Sequence, residues 1–228
     1  MAKAIGYSLD RAYKMVTRKI PHRVFYKIRT GIDLPTGSEM VYRIYEQFND
    51  FIPLPKMLVV DVGAQFGDYS IICNRMYGAS VVAFEPLVEN YKIMKKFIKK
   101  NHAEISIHNL GLSDSPGEQE FSYSGSMLSL ANAGSKKQWI KFDTLDSFNL
   151  KPDIMKIDVE GYEMHVLKGA IHTLEENKPK VIIETHSSQL ENQVRNFLGK
   201  LGYGRPREGP RSYSDTWTDS LTTLFFKA

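Results

Sequence analysis

An α/β fold is predicted: a seven-stranded, mostly parallel, doubly wound sheet with helices on both faces, preceded by a helical N-terminal extension. Three observations carry it. From Lys56 onward, short apolar runs alternate with segments of helical periodicity, the pattern of successive βαβ units. The first run leads through a glycine-bearing loop straight into a helix, as at the carboxyl edge of a parallel sheet. The 228 residues suit one such domain with a sizeable core and a terminal extension, not two independent domains.

The extension comes first. Ile5, Leu9, Tyr13, Val16 and Ile20 recur at helical spacing on a face apart from Arg11, Lys14 and Arg18, and Pro21 stops the run. Lys3, Arg11, Lys14, Arg18, Lys19, Arg23, Lys27 and Arg29 face Asp10 alone among the acids there, so the net charge of +4 is concentrated in this arm. Such a basic amphipathic helix either packs on the main domain with a solvated charged face or contacts, through residues 3–29, an anionic membrane surface, nucleic acid or acidic substrate. Ser38 is an N-cap for a second helix, through Met40, Val41, Ile44, Tyr45 and Phe48 to near Pro53, which would cap the domain. Residues 1–54 are therefore read as extension and cap, and 55–228 as the main domain.

Within that domain, strands are expected at 57–61, 80–84, 104–109, 153–158 and 180–185, and helices at 68–77, 87–100, 162–177 and 189–201. Short strands at 117–123 and 137–142 are joined by a Ser/Gly/Asn-rich loop, 124–135. A last strand at 221–226 is reached through the Gly/Pro/Arg-rich stretch 202–219, in which 202–205 would supply a short sixth strand and complete seven.

Composition narrows the class. With 42% hydrophobic and 25% charged residues the chain has the make-up of an ordinary globular protein, which excludes collagenous, mucin-like and disordered readings. Cys73 is the only cysteine, so no internal disulfide forms and a reducing, cytoplasmic setting is expected. No stretch approaches the ~18 apolar residues of a membrane span, and the first thirty lack a signal-peptide core.

The loop Asp61-Val62-Gly63-Ala64-Gln65-Phe66-Gly67 sets two cofactor classes against each other. A dinucleotide wants G-x-G-x-x-G, whose second glycine lets the backbone approach the pyrophosphate; Gln65 occupies that place. S-adenosylmethionine carries an ammonium, a carboxylate and a sulfonium instead of phosphate, and asks for an acid and backbone room, which Asp61, Gly63 and Gly67 supply. Glu85, between Phe84 and Pro86, follows an apolar strand 22 positions after Gly63, near the ~20-residue spacing at which an acid reaches ribose hydroxyls. Leu112, Ser113 and Asp114, at the end of the third strand, are placed to meet the adenine, unless they form a plain Ser-Asp turn.

The far edge is acidic. Lys156, Asp158 and Glu160 share one parity, and a charged Lys156 in a buried strand must pair with a nearby carboxylate, which marks it as structural. Glu184 and His186 end the fifth strand on one parity. If the first, fourth and fifth strands are neighbours, Asp61, Asp158, Glu160, Glu184 and His186 converge on one crevice as candidate bases or metal ligands. Methyl transfer to a hydroxyl needs alignment and proton removal, for which His186, Glu160 and Asp158 are the catalytic candidates. No metal ligand is assigned, although a divalent metal would use Asp158, Glu160 and Glu184. No Asn/Asp-Pro-Pro-aromatic motif of base-amine methylation follows the fourth strand, which leaves oxygen methylation ahead.

The ordered series resembles the FkbM-type methyltransferases. It comprises Asp61-Val62-Gly63-Ala64 with Gly67 and Tyr69-Ser70, then Phe84-Glu85-Pro86, Leu112-Ser113-Asp114 with Gly117, and Thr144-Leu145-Asp146. Lys156-Ile157-Asp158-Val159-Glu160-Gly161 with Glu163, Leu167-Lys168-Gly169-Ala170 and Ile183-Glu184 complete it. The resemblance implies a Rossmann-like class I methyltransferase fold and, commonly, O-methylation of sugars, glycans or other small-molecule hydroxyls. It implies Asp61, Gly63, Glu85 and Asp114 as cofactor contacts, with Gln65 (where the family usually has Asn), Gly67, Tyr69, Pro86, Leu112, Ser113 and Asp158 around them. Asp158 and Glu160 carry over as active-site edge residues. Acceptor contacts are expected from Glu184, Arg211, Tyr213 and Trp217, an aromatic and guanidinium set suited to sugars or anions. The rival readings are an RNA-binding protein or RNA methyltransferase gripping phosphates with the basic arm, and a cofactor-binding module without catalysis.

Overall fold

The computed structural model describes residues 27, 30–35, 45–124, 127–129, 136–209 and 222–228. In chain order the elements are β1 (Leu58–Val62), α1 (Asp68–Tyr77), β2 (Ser80–Phe84), α2 (Val88–Lys100), β3 (Ile105–His108), β4 (Gly111–Leu112), β5 (Gly117–Ser124), β6 (Met127–Ser129) and β7 (Lys136–Asp143). They continue with β8 (Ile154–Ile157), α3 (Glu163–Lys168), α4 (Ile171–Asn177), β9 (Lys180–Thr185), α5 (Ser188–Lys200), β10 (Arg207–Glu208) and β11 (Thr222–Phe226). Seven strands form one sheet in the order β10-β11-β9-β8-β1-β2-β3, parallel from β9 to β3, with β11 antiparallel to both its neighbours. A second sheet has the order β4-β7-β5-β6.

Side-chain alternation explains the two covered faces. Val60, Val62, Met155, Ile157, Val181 and Ile183 pack with Val166 and Leu167 of α3, Leu174 of α4, and Val194 and Leu198 of α5. Their neighbours Val59, Val81, Ile154 and Ile182 pack on the opposite side with Ile71 and Ile72 of α1 and Phe97 of α2. Ile32, Leu34, Tyr45 and Phe51 join that second cluster, so the segment before β1 is part of the same core. Among the described residues no helix is long and apolar enough to cross a membrane.

Three expectations need correction. The helix expected over 162–177 is two helices: Gly169 lies against the Ser113 carbonyl, where a Cβ would overlap the oxygen, and Asp146 caps the second helix by accepting from His172 N (3.0 Å) and Thr173 N (2.9 Å). The short sixth strand is Arg207–Glu208, not 202–205. Gly202, at φ 84°, instead turns the end of α5 back so that Tyr203 N donates to Leu198 O. Part of the loop expected at 124–135 is strand β6, paired with β5. Apart from Lys27 and Thr30, the basic arm lies outside the described residues, as do the part of the expected cap helix before Tyr45 and the 210–221 stretch with Arg211, Tyr213 and Trp217. Past Tyr45 the chain does not run on as an α-helix to Pro53 but turns, with a 3-10 turn at Asn49–Phe51.

Candidate active site

The strand order brings the carboxyl ends of β1, β8 and β9 side by side, as the convergence argument requires. Register pairs Asp61 of β1 with Lys156 of β8. Asp61 is fully buried and is held from two sides: Ser70 Oγ donates to Oδ2 at 2.6 Å, and Lys156 Nζ stands 3.2 Å from Oδ1. The same ammonium donates to Gly63 O at 2.8 Å. Burial opposes a charge on Lys156, but Asp61, Asp158 and Glu184 outweigh it and raise its pKa. Lys156 thus ties β8 to the glycine loop, the structural role expected of it. Ser70→Ala removes a hydrogen bond to a buried carboxylate and should cost about 1.5–3 kcal/mol, read by urea denaturation.

The loop after β1 passes three times through the left-handed region, at Gly63 (φ 73°), Gln65 (51°) and Gly67 (85°). Four of its N–H groups are spent inside the protein. Those of Gly63 and Ala64 both donate to Phe84 O, that of Gly67 to Ala64 O, and that of Gln65 to Glu85 Oε2 at 2.8 Å. Those four are not offered to a pyrophosphate, in keeping with the exclusion that Gln65 suggested in the sequence. Glu85, 5% exposed, also accepts from Leu87 N (2.9 Å) and Asn90 Nδ2 (3.2 Å). Burial pushes its carboxyl up to about 7 against the pull of those donors. Asn109 and Gln138 donate to the Pro86 carbonyl, so β7 of the second sheet is docked on the turn that carries Glu85.

Past Ile157 the strand ends, and Asp158 and Glu160 lie on a turn rather than on strand parity. Glu160 (φ 54°) and Gly161 (φ 100°) are successive left-handed residues, a conformation that clusters at functional sites when a side chain other than glycine adopts it. The turn places Glu160 Oε2 3.3 Å from His186 Nε2. Asp158 Oδ1 is 3.9 Å from the same nitrogen, and Asp158 Oδ2 accepts from the Tyr45 hydroxyl at 2.9 Å. On the other side of the ring, His186 Nδ1 is 2.9 Å from Oε1 of the fully buried Glu163. Burial lowers the imidazole pKa, but the Glu163 hydrogen bond and the charges of Glu163, Asp158 and Glu160 raise it to about 9. Burial, then the charge of Asp158, raises Glu184. Burial likewise raises Glu160, whose side chain is 26% exposed.

The expected site residues thus fall into groups. Asp61, Asp158, Glu160, Glu184 and His186 cluster at the carboxyl ends of β1, β8 and β9, with Gly63, Gln65, Gly67, Glu85 and Pro86 along the adjoining loop and turn. Leu112 belongs to β4 of the second sheet rather than to the end of β3, with Ser113 buried and Asp114 exposed just after it. Tyr69 is buried in the core, edge-on to Tyr45 with centroids 5.2 Å apart. Ser70, Tyr45 and Glu163 are polar partners of the site to which the sequence reading gave no role. Ser70 and Glu163 stand inside the motifs that carried the family resemblance.

Comparison with known proteins follows the same lines. The hexuronic acid methyltransferase AglP of Haloferax volcanii is 28% identical over 147 residues, 61% of this chain and 60% of that protein. The crystal structure of methyltransferase FkbM from Methylobacillus flagellatus KT superposes with a TM-score of 0.56 at 21% identity, over 74% of this chain and 43% of that one. A methyltransferase from Pyrococcus furiosus gives 0.51 at 15% identity, over 91% and 94% of the two chains. These solved structures share the fold; the chain spans under two thirds of the first two proteins. Residues 61–204, from the Asp61 loop past His186, match the methyltransferase FkbM domain, and the chain belongs to that family.

Proposed function

We propose that the chain transfers a methyl group from S-adenosylmethionine to a hydroxyl of a sugar, glycan or related small acceptor. The observation that carries the donor is Glu85: a buried carboxylate fixed at the end of β2 beside a loop four of whose N–H groups are already spent. That arrangement fits a cofactor with a ribose diol and positive charge, not a pyrophosphate. Asp61, Gly63, Gln65 and Gly67 would hold its methionine end, Glu85 the ribose, and Leu112, Ser113 and Asp114 the adenine side. The sulfonium supplies an activated methyl group and a neutral leaving group.

On the acceptor side, alignment and proton removal are the chain's own work. Glu160 takes the proton in this reading, because its carboxylate stands at the partly open rim of the crevice while His186 is held between acids. Tyr45, through Asp158, ties the segment before residue 55 to the acceptor side, supporting its part as a cap on a catalytic domain of residues 55–228. The hexuronic acid named for the Haloferax protein supports a sugar-like acceptor.

Isothermal titration with S-adenosylhomocysteine tests the donor. Glu85→Ala should weaken binding about 10–100-fold, the equivalent of a lost hydrogen bond to a charged group. Absence of binding to the wild-type chain would sink the reading. Labelled methyl transfer to hexuronic-acid-bearing glycans, compared with RNA, tests the acceptor: incorporation into RNA alone would reject the sugar.

A further inference from the structure

We propose that Asp158, Glu184 and His186 form a binding site for one divalent metal ion on the acceptor side of the crevice. One ligand atom from each lies within 4.8 Å of the others. Atoms that share an ion at ~2.1 Å stand roughly 3–4 Å apart, so small side-chain adjustments bring the three onto one ion. Convergence alone would be weak support.

Glu184 makes it stronger. The residue is 8% exposed, and its Oε2 is buried with no hydrogen-bond partner. Left ionised, an orphaned carboxylate oxygen in such a place is costly unless something positive meets it. Lys156 donates to Gly63 O at 2.8 Å and stands 3.2 Å from Asp61, and makes no hydrogen bond to that oxygen.

His186 adds an independent observation. Its Nδ1 is taken by Glu163 at 2.9 Å, and Glu163 is fully buried. Metal-bound histidines ordinarily carry such a carboxylate on the distal nitrogen, which fixes the tautomer and aims the other nitrogen at the ion. Here that other nitrogen, Nε2, faces Asp158 Oδ1 at 3.9 Å. Asp158 itself is divided in the sense the site needs: Oδ2 engages the Tyr45 hydroxyl and approaches Lys156 at 3.7 Å, while Oδ1 turns toward the histidine. Glu160, 3.3 Å from Nε2, gives up that contact when the ion enters and stays beside it.

Two carboxylates and one imidazole form a mixed oxygen and nitrogen set suited to Mn²⁺ and ions like it. Three protein ligands leave positions for an acceptor hydroxyl, which the ion would orient and make more acidic, Glu160 receiving its proton. This use of the ion rests on the proposed transfer reaction; the site itself does not.

The test is Mn²⁺ binding to the full chain after chelation and desalting, followed by electron paramagnetic resonance without donor or acceptor. One saturable ion per chain is expected. Glu163→Gln should weaken it about 10–100-fold, the usual effect of losing the group behind a metal-bound histidine, and Glu184→Gln at least as much. Far-UV circular dichroism verifies folding, and the two variants serve as alternatives if one does not fold. No saturable Mn²⁺ binding by the wild-type chain, or affinity unchanged in a folded variant, overturns the site. Methyl transfer that persists in a chain shown to bind no Mn²⁺ overturns the site and leaves the reaction standing; Mn²⁺ binding without transfer does the reverse.

Discussion

Glu160→Gln should lower kcat for methyl transfer about 100- to 10,000-fold, the range for loss of a positioned general base. The substitution keeps the side chain's size and, at the 26% exposed rim of the crevice, asks little of the core. Donor affinity should be unchanged, because the Glu160 carboxylate faces His186 Nε2 at 3.3 Å, whereas the Asp61 loop meets this turn through the Asp158 carbonyl and Val159. A base can be distinguished from a binding group by the acceptor. An acceptor whose hydroxyl is already acidic needs less help, so the variant should recover most of its rate on it; a group that only binds would impair all acceptors alike. A loss of only a few fold would remove Glu160 as the base and leave Asp158, 3.9 Å from the same imidazole nitrogen, as the next candidate.

The alternation of strands and helices was legible because a parallel sheet covered on both sides turns its strands into apolar runs. Val181, Ile182 and Ile183, all fully buried, are the clearest case. Lys156 was legible for the opposite reason: a cation in such a run must have partners, and it has them in Asp61 and Asp158. What could not be read depends on contacts distant in sequence. The break at Gly169 in the helix expected over 162–177 sets that glycine against Ser113, a contact no local periodicity contains. Tyr45 carried only an apolar helical signal, yet its hydroxyl reaches Asp158, 113 positions away. Glu163 looks like any acid in the first turn of a helix, and only the fold sets it behind His186. The turn at Glu160 was misread as strand parity, because its left-handed conformation is unusual for glutamate.

Gly63→Ala should destabilise the protein by about 2–5 kcal/mol, the sum of forcing a Cβ into a left-handed conformation and of overpacking a closed site. The residue has φ 73°, and a Cβ there would overlap the Asp158 carbonyl oxygen and lie 3.0 Å from its carbon and 3.1 Å from Val159 Cγ1. Relief by movement is opposed on both sides. Gly63 N is bonded to Phe84 O and Gly63 O to the Lys156 ammonium, while Asp158 N donates to Val62 O. The added methyl therefore pushes the end of β8 away from β1. Asp158 sits at that end, so donor loop and acceptor crevice should fail together, and S-adenosylhomocysteine affinity should fall along with the urea midpoint. Gly117→Ala is the control. Nothing lies within 4 Å of a Cβ there, and the change should stay within about 0.5 kcal/mol. Equal midpoints for the two variants would mean that the glycine of the Asp61 loop is kept for something other than its contact with β8. A large gap would instead tie this loop's glycine to the carbonyl of the residue that begins the acidic turn.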